Sequence, residues 1–512
     1  MPDRRLPRGA RIAAPLVLLL TLLLVAPGCG GEDSSSSNAA GPDPATVAPA
    51  SAALYGEAVV RPSGEQKDEV VAAACKVFRV EDPGAELARA FDATQTSGVR
   101  YARDVEPWLG QRIGGFLTLP RSGSGDPDWA FALSIADRDA FDAAFPHLRR
   151  GDRHDVGSYR GISYDENDTD ESYSAQVGDF YVGGSLGGLR AAIDASRGDN
   201  LAEASRFTDA IDALPDDALA FAYADPRALA AALEQAPPAA RRALARLTEG
   251  RPLVASLTAN ADEIAIEGSG ESAFAETFSN GAEVTVGQLP GDSWLALATP
   301  PLGPLVREAL NAAGIHDKAA AQVRANLGLD LDRDLLAPLG GLGLFARGEG
   351  PLDLGGGALL QLTDAAAAQR LLTRLQTVAA STHLPMQPVS AAGARGFQIQ
   401  IPRSPLPIVV LAEGAKLAAG YAASSAQDLL DPQQRFDESS AGKAAIATLG
   451  EGYEPSFVLI VPPIAALLRA LDQIEVADLA PVIPYVNAYR SLAIGTKRDG
   501  DRTTVRIVAA LR

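Results

Sequence analysis

The stretch Leu214-Pro215-Asp216-Asp217-Ala218-Leu219-Ala220-Phe221-Ala222-Tyr223-Ala224-Asp225-Pro226 decides how this chain is read. A Pro-Asp-Asp turn leads into a short apolar strand. Asp225-Pro226 then stops the strand and starts a helix running to Gln235, because Asp is a good N-cap and Pro suits the first helical position. Relatives of this phrase stand at Ser51–Pro62, Leu289–Pro301 and Tyr453–Pro463. The repetition carries more information than any single residue.

Working outward from the phrase, two halves superpose at a spacing of about 225–240 residues. Arg103-Asp104-Val105-Glu106-Pro107-Trp108-Leu109-Gly110 matches Arg333-Asp334-Leu335-Leu336-Ala337-Pro338-Leu339-Gly340, and each precedes an apolar strand, Ile113–Leu119 or Gly341–Ala346. Trp129–Ala136 and Ala358–Thr363 each run into an Asp, Asp137 or Asp364, placed to cap a helix. Arg160-Gly161 and Arg395-Gly396 each open a strand pair. Helices are expected at Glu65–Phe78 and Leu305–Ala313, and again at Ala239–Leu247 and Pro481–Tyr489. Each half closes on a hairpin, Leu253–Thr258 with Glu263–Glu267 and Leu492–Thr496 with Thr503–Val508; Asp499-Gly500 is a strong turn dipeptide. The fold class is therefore α+β: a tandem duplication of two similar halves, each a largely antiparallel sheet with helices on one face. The expected domains are a signal peptide over 1–28, a disordered tether over 29–49, a first repeat over 50–270, a connector over 271–286 and a second repeat over 287–512.

The N-terminus reads as a targeting segment. Arg4, Arg5, Arg8 and Arg11 precede an apolar run, Ile12–Ala26, too short to span a membrane comfortably. Ala26-Pro27-Gly28-Cys29-Gly30 follows and resembles a bacterial lipoprotein signal, in which cleavage before the Cys leaves that residue lipidated. Gly28 and Cys29 fit the pattern, whereas Pro27 stands where a small residue is usual. An ordinary cleaved secretory signal and an uncleaved anchor are the alternatives. Gly30 to about Ala50, rich in Ser, Asn, Gly and Pro, reads as a tether. The localisation implied is extracytoplasmic and lipid-anchored to the cell membrane through Cys29.

The formal net charge is -19, and losing the Arg-rich leader would make the chain more acidic still. Such acidity argues against nucleic acid as a partner. Hydrophobic residues make up 47% of the chain, enough for real cores. Cys75 lies in a helical pattern and reads as a small buried hydrophobe.

Candidate chemistry is sparse. Gly183-Gly184-Ser185-Leu186-Gly187 matches Gly-x-Ser-x-Gly between a strand and a helix, the context of a nucleophile elbow. Three features oppose a hydrolase on Ser185. The surrounding pattern is not doubly wound, the histidines that follow it, His316 and His383, belong to the other half, and Ala422 takes the equivalent place there. No Lys-Ser/Thr follows this glycine run, so it is not a phosphate loop either. Asp165-Glu166-Asn167-Asp168-Thr169-Asp170-Glu171 is rich enough in oxygen for calcium, but the EF-hand register fails and a solvated hairpin loop is the simpler reading. His147, His154, His316 and His383 form no helical metal pair. Trp108, Trp129 and Trp294 sit at element boundaries and read as core anchors.

These landmarks resemble a bacterial family known only as domain of unknown function 3352, whose members are secreted or lipid-anchored. The matching features are Asp104–Gly110, the Gly183–Asp194 strand-to-helix turn, and Leu201–Pro226. The resemblance implies no functional residues, cofactor or metal. The reading is a non-catalytic extracytoplasmic lipoprotein that binds an unknown envelope protein or acts as a scaffold. The alternatives are a carrier of a lipid or other hydrophobic ligand and, remotely, a serine hydrolase using Ser185.

Overall fold

The computed structural model describes residues 41–94, 98–120, 126–148, 153–167, 172–232, 251–271, 284–327, 329–350, 353–381, 384–391, 393–402, 404–474, 478–500 and 502–512. The expected helix at Ala239–Leu247 lies outside them. The described chain forms two compact units that divide within the strand Glu263–Glu271, one ending at Gly268 and the other running from Ser269 to Arg512; that strand is grouped with the first unit, which holds most of it.

The first unit carries β1 (Leu54–Val59), β2 (Leu109–Thr118), β3 (Asp128–Ile135), β4 (Arg153–Tyr159), β5 (Ile162–Asn167), β6 (Ser172–Val177), β7 (Phe180–Gly184), β8 (Ala220–Ala224), β9 (Leu253–Ala259) and β10 (Glu263–Glu271). They lie side by side in the order β10-β9-β8-β1-β2-β3-β7-β6-β5-β4. The pairs from β9 to β4 are antiparallel. The second unit has β11 (Ser293–Ala298), β12 (Leu339–Arg347), β13 (Gly355–Leu362), β14 (Met386–Ala391), β15 (Ala394–Ile399), β16 (Ile408–Glu413), β17 (Lys416–Tyr421), β18 (Glu454–Ile460), β19 (Tyr489–Asp499) and β20 (Arg502–Leu511). Their order, β20-β19-β18-β11-β12-β13-β17-β16-β15-β14, is again antiparallel throughout. Counted from the start of each unit, the two strand orders are the same. A mixed fold of helices and antiparallel sheet, as the sequence implies, is what forms.

The expectation of helices on one face is wrong. Within β16, Val410 and Ala412 pack with Leu372 of the helix Ala365–Ser381, while Val409 and Leu411 pack with Ala426 of the helix Ala423–Leu430. Side chains alternate across a strand, so the two helices lie on opposite faces. The first unit does the same. Ala132 and Val182 join Leu189 and Ile193 of the helix Leu186–Ala195, whereas Leu133 and Tyr181 join Phe141 of the helix Arg138–Leu148. Strands apolar at successive positions, such as Ile408-Val409-Val410-Leu411-Ala412, must be covered on both sides.

Other boundaries also shift. The tether expected through residue 49 ends sooner: Pro44–Val47 forms a 3-10 turn with Ala45, Val47 and Ala48 buried. The second unit's matching turn is Val286–Gln288, so its fold begins inside the expected connector. The helix expected over Pro481–Tyr489 shrinks to one turn, Ile483–Val486, because Tyr489 already pairs with Leu511 as the start of β19. The helices Pro83–Thr94 and His316–Leu327 are additional to those read from the sequence.

The shared Arg-Asp phrase folds as a single π turn in both units. The amide of Glu106 donates to the Tyr101 carbonyl (2.8 Å), and that of Ala337 to the Asp332 carbonyl (2.7 Å). In the first unit the turn delivers Trp108 to the core. Its indole Nε1 donates to the Asp104 carbonyl (2.6 Å), and its ring meets Phe141 edge-on at 5.1 Å between centroids. Trp129 and Trp294 are only partly buried, so of the three tryptophans Trp108 alone is a fully buried anchor. Trp108→Ala should lower first-unit stability by about 3–5 kcal/mol through the cavity it leaves. Urea unfolding followed by circular dichroism should show an earlier first transition, with the second-unit transition unmoved.

Candidate functional site

The Gly-x-Ser-x-Gly turn follows β7 and starts the helix Leu186–Ala195. Ser185 is extended (φ -63°, ψ 157°), and its Oγ accepts from the Gly188 amide (3.0 Å), the geometry of a helix N-cap. The same Oγ donates to Asp128 Oδ1 (2.9 Å) and accepts from the Trp129 amide (3.2 Å). A Cβ at Gly188 would stand 2.0 Å from the Trp129 carbonyl oxygen, and one at Gly184 2.2 Å from it. These glycines let helix and strand approach closely, and Ser185 pins the helix start to the beginning of β3. Among the described residues its hydroxyl partners are Asp128, Trp129 and Gly188, none of them an imidazole.

The second unit reaches the same mechanical result with different groups. Ala422, at the start of the helix Ala423–Leu430, has φ 71° and no capping side chain. Arg347, at the end of β12, instead reaches Asp428 (2.7 Å) and Asp292 (3.1 Å), with Ser425 Oγ 3.4 Å from its second nitrogen.

The acidic run divides. Asp165 and Glu166 lie within β5, where Asp165 is buried and Glu166 accepts from the Tyr173 hydroxyl (2.9 Å). Residues 168–171 lie outside the described residues. Among the described residues no group of three or more His, Cys, Asp or Glu is placed to hold a metal ion. Cys29 and His383 lie outside the described residues, and so do the side chains of His147 and His154. His316 Nε2 lies 3.1 Å from Asp332 Oδ2, in the second unit, and its hydrogen bond to that carboxylate holds the imidazole above its usual pKa. Cys75 is a free thiol, partly exposed and not buried as expected, with Sγ 3.7 Å from the Glu81 carbonyl. No helix among the described residues is long and apolar enough to cross a membrane.

The group that the motif reading misses is a buried polar chain on β1 and β2. Tyr55 and Glu57 lie on one face of β1, with Glu57 only 4% exposed. The Tyr55 hydroxyl donates to Glu57 Oε2 (2.7 Å), and Arg112 pairs with Oε1 of the same carboxylate. Arg112 also lies 3.4 Å from Asp43 Oδ1, while Asp43 accepts from the Ala45 amide (2.9 Å) and so caps the 3-10 turn. Strand alternation in Leu54-Tyr55-Gly56-Glu57 signals that Glu57 shares a face with Tyr55. It does not signal the partner, which comes from 55 residues away. In the second unit the corresponding face of β11 carries Ala296 and Ala298, both buried.

Burial raises the Glu57 carboxyl above 4.5 despite the opposing pull of Arg112, and burial beside Glu57 holds the Tyr55 phenol well above 10. A carboxyl whose pKa is raised in the fold binds its proton more tightly there than in the unfolded chain. Its contribution to stability is complete below the unfolded pKa and is lost as pH rises through the folded one. The stability gap between wild type and Glu57→Gln, measured by urea titration at successive pH values, should therefore move against the wild type as pH rises from below 4.5. In the same assay Ser185→Ala should cost about 1 kcal/mol, the worth of an N-cap.

A family model for a protein of unknown function, DUF3352, matches residues 16–511. No curated protein matches. Among solved structures, crystal form IV of a protein named TP0453 is 12% identical, with 46% of this chain and 83% of that chain covered and a TM-score of 0.26. Crystal form III of the same protein is 14% identical, with 53% and 88% covered and a TM-score of 0.25.

Proposed function

The chain belongs to the DUF3352 family of proteins of unknown function, and on that premise we propose that it is an extracytoplasmic lipoprotein, held to the cell membrane by a lipid on Cys29. Its role is non-catalytic: it binds an envelope protein or acts as an envelope scaffold. The observation that carries the anchoring is the order Arg4 to Arg11, apolar Ile12–Ala26, Gly28-Cys29 and a stretch rich in Ser, Asn and Gly after it. Those parts are what lipidation and tethering require.

The non-catalytic role draws support from Ser185, whose hydroxyl is engaged as a cap and clamp. Tandem duplication of one ancestral module is the simplest source of two units with the same strand order and the same π turn before their second strands. A carrier of acyl chains is favoured less. A hollow of the second unit, lined by Ala391, Ala394, Glu413, Gln427, Leu430 and Asp431, brings two carboxylates and an amide to its wall.

Expression in a related host with an alkyne fatty acid tests the anchor. The mature chain should carry the label, and its N-terminal peptide should begin at Cys29 with the mass of a diacylglyceryl group. Cys29→Ala should abolish the label and accumulate unprocessed chain. A mature chain that begins elsewhere without lipid overturns the reading.

A further inference from the structure

Each unit is closed by a strap, the segment just before its first strand. In the first unit the strap is Asp43–Ala53. The Leu201 amide donates to the Ala48 carbonyl (2.7 Å), the Ala50 amide to the Asp199 carbonyl (2.9 Å) and the Ala53 amide to the Leu117 carbonyl (2.9 Å). Pro44 lies over Gly114, where a Cβ would stand 2.5 Å from Pro44 Cβ. In the second unit the strap is Val284–Gly291. The Phe436 amide donates to the Leu289 carbonyl and the Gly291 amide to the Gln434 carbonyl, both at 2.8 Å. Val284 and Leu289 lie over Gly343 as Pro44 lies over Gly114.

The two straps are fastened by different forces. The second buries Val284, Val286 and Leu289, each at most 1% exposed. The first buries Pro44 and Val47 with four alanines, Ala45, Ala48, Ala52 and Ala53, and each of those alanines removes less apolar surface from water than the valines and leucine of the second. What the first strap has in addition is polar: Asp43 against Arg112, Arg112 against Glu57, and Tyr55 on Glu57. Arg112 and Asp43 retain 20% and 40% of their side-chain exposure. Their attraction is therefore screened by salt, and a partly exposed pair adds little net stability.

We propose that Asp43–Ala53 is a releasable latch, fastened by the Asp43–Arg112–Glu57–Tyr55 chain, that opens as one piece while β1 and β2 beneath it stay paired. Opening bares Tyr55 and Phe116 in the apolar cluster that the strap now completes. It also returns the strap to the segment before it, lengthening that segment by roughly 35 Å at full extension. This consequence for membrane spacing rests on the anchoring reading; the latch itself does not.

Hydrogen exchange followed by mass spectrometry on the full chain, purified in detergent as its host processes it, tests the latch. Peptides covering Ala45–Ala53 should exchange about tenfold faster than those covering Val286–Gly291, with β1 as slow as the rest of the sheet. Asp43→Asn should speed the first strap by a further factor of about two to five, and about 0.5 M NaCl should do the same in the wild type but not in the variant. Equal protection of the two straps overturns the proposal. So does a first strap that ignores both salt and Asp43→Asn, or one that exchanges only together with β1. If Cys29 proves unlipidated while the strap exchanges as described, the anchor reading fails and the latch stands.

Discussion

The fold depends on covering sheets whose inner strands are apolar on both faces. In β16, Val409 and Leu411 point one way and Val410 and Ala412 the other, and all four are buried. A helix on one side alone would leave half of that surface in water. Each unit therefore sets helices on both faces, and each uses its leading segment as a further cover. The straps are part of this requirement: Ala45, Val47, Ala48 and Ala52 belong to the same cluster as Phe116, Leu189 and Phe207.

Close approach is the second demand. A helix that starts immediately after its strand must sit against the neighbouring strand's backbone. In the first unit Gly184 and Gly188 clear the Trp129 carbonyl, and Ser185 ties the turn to Asp128. The second unit ties the corresponding turn with Arg347, Asp428 and Ser425 and tolerates a positive φ at Ala422. Two chemically unrelated solutions at one place in the fold argue that the place asks for a clamp. A glycine-serine-glycine phrase there reports packing geometry before it reports chemistry.

The units part most clearly in where they put charge. Glu57 and Arg112 occupy the first unit beside the strap, while the corresponding face of β11 has alanines. Removing a carboxylate and a guanidinium from water carries a desolvation cost that apolar residues would avoid. The first unit carries that cost where the chain leaves its N-terminal segment, and the second does not.

Much of this was legible in the residues. The recurring strand-Asp-Pro-helix phrase, the Arg-Asp turn and the terminal hairpins are local: each is fixed by neighbours along the chain, through caps, turn residues and alternation. They place strands and helices in order, and the family resemblance follows the same phrases. Tertiary structure alone decided what depends on distant residues meeting. The helices divide between two faces because every inner strand needs two covers, and no single segment records which face its helix takes. The expected tether gives way to a strap at Pro44 because Gly114, far along the chain, leaves a slot for it. Glu57 is visible as an acid on an apolar face, but its ties to Arg112 and Asp43 exist only once β1, β2 and the strap are brought together.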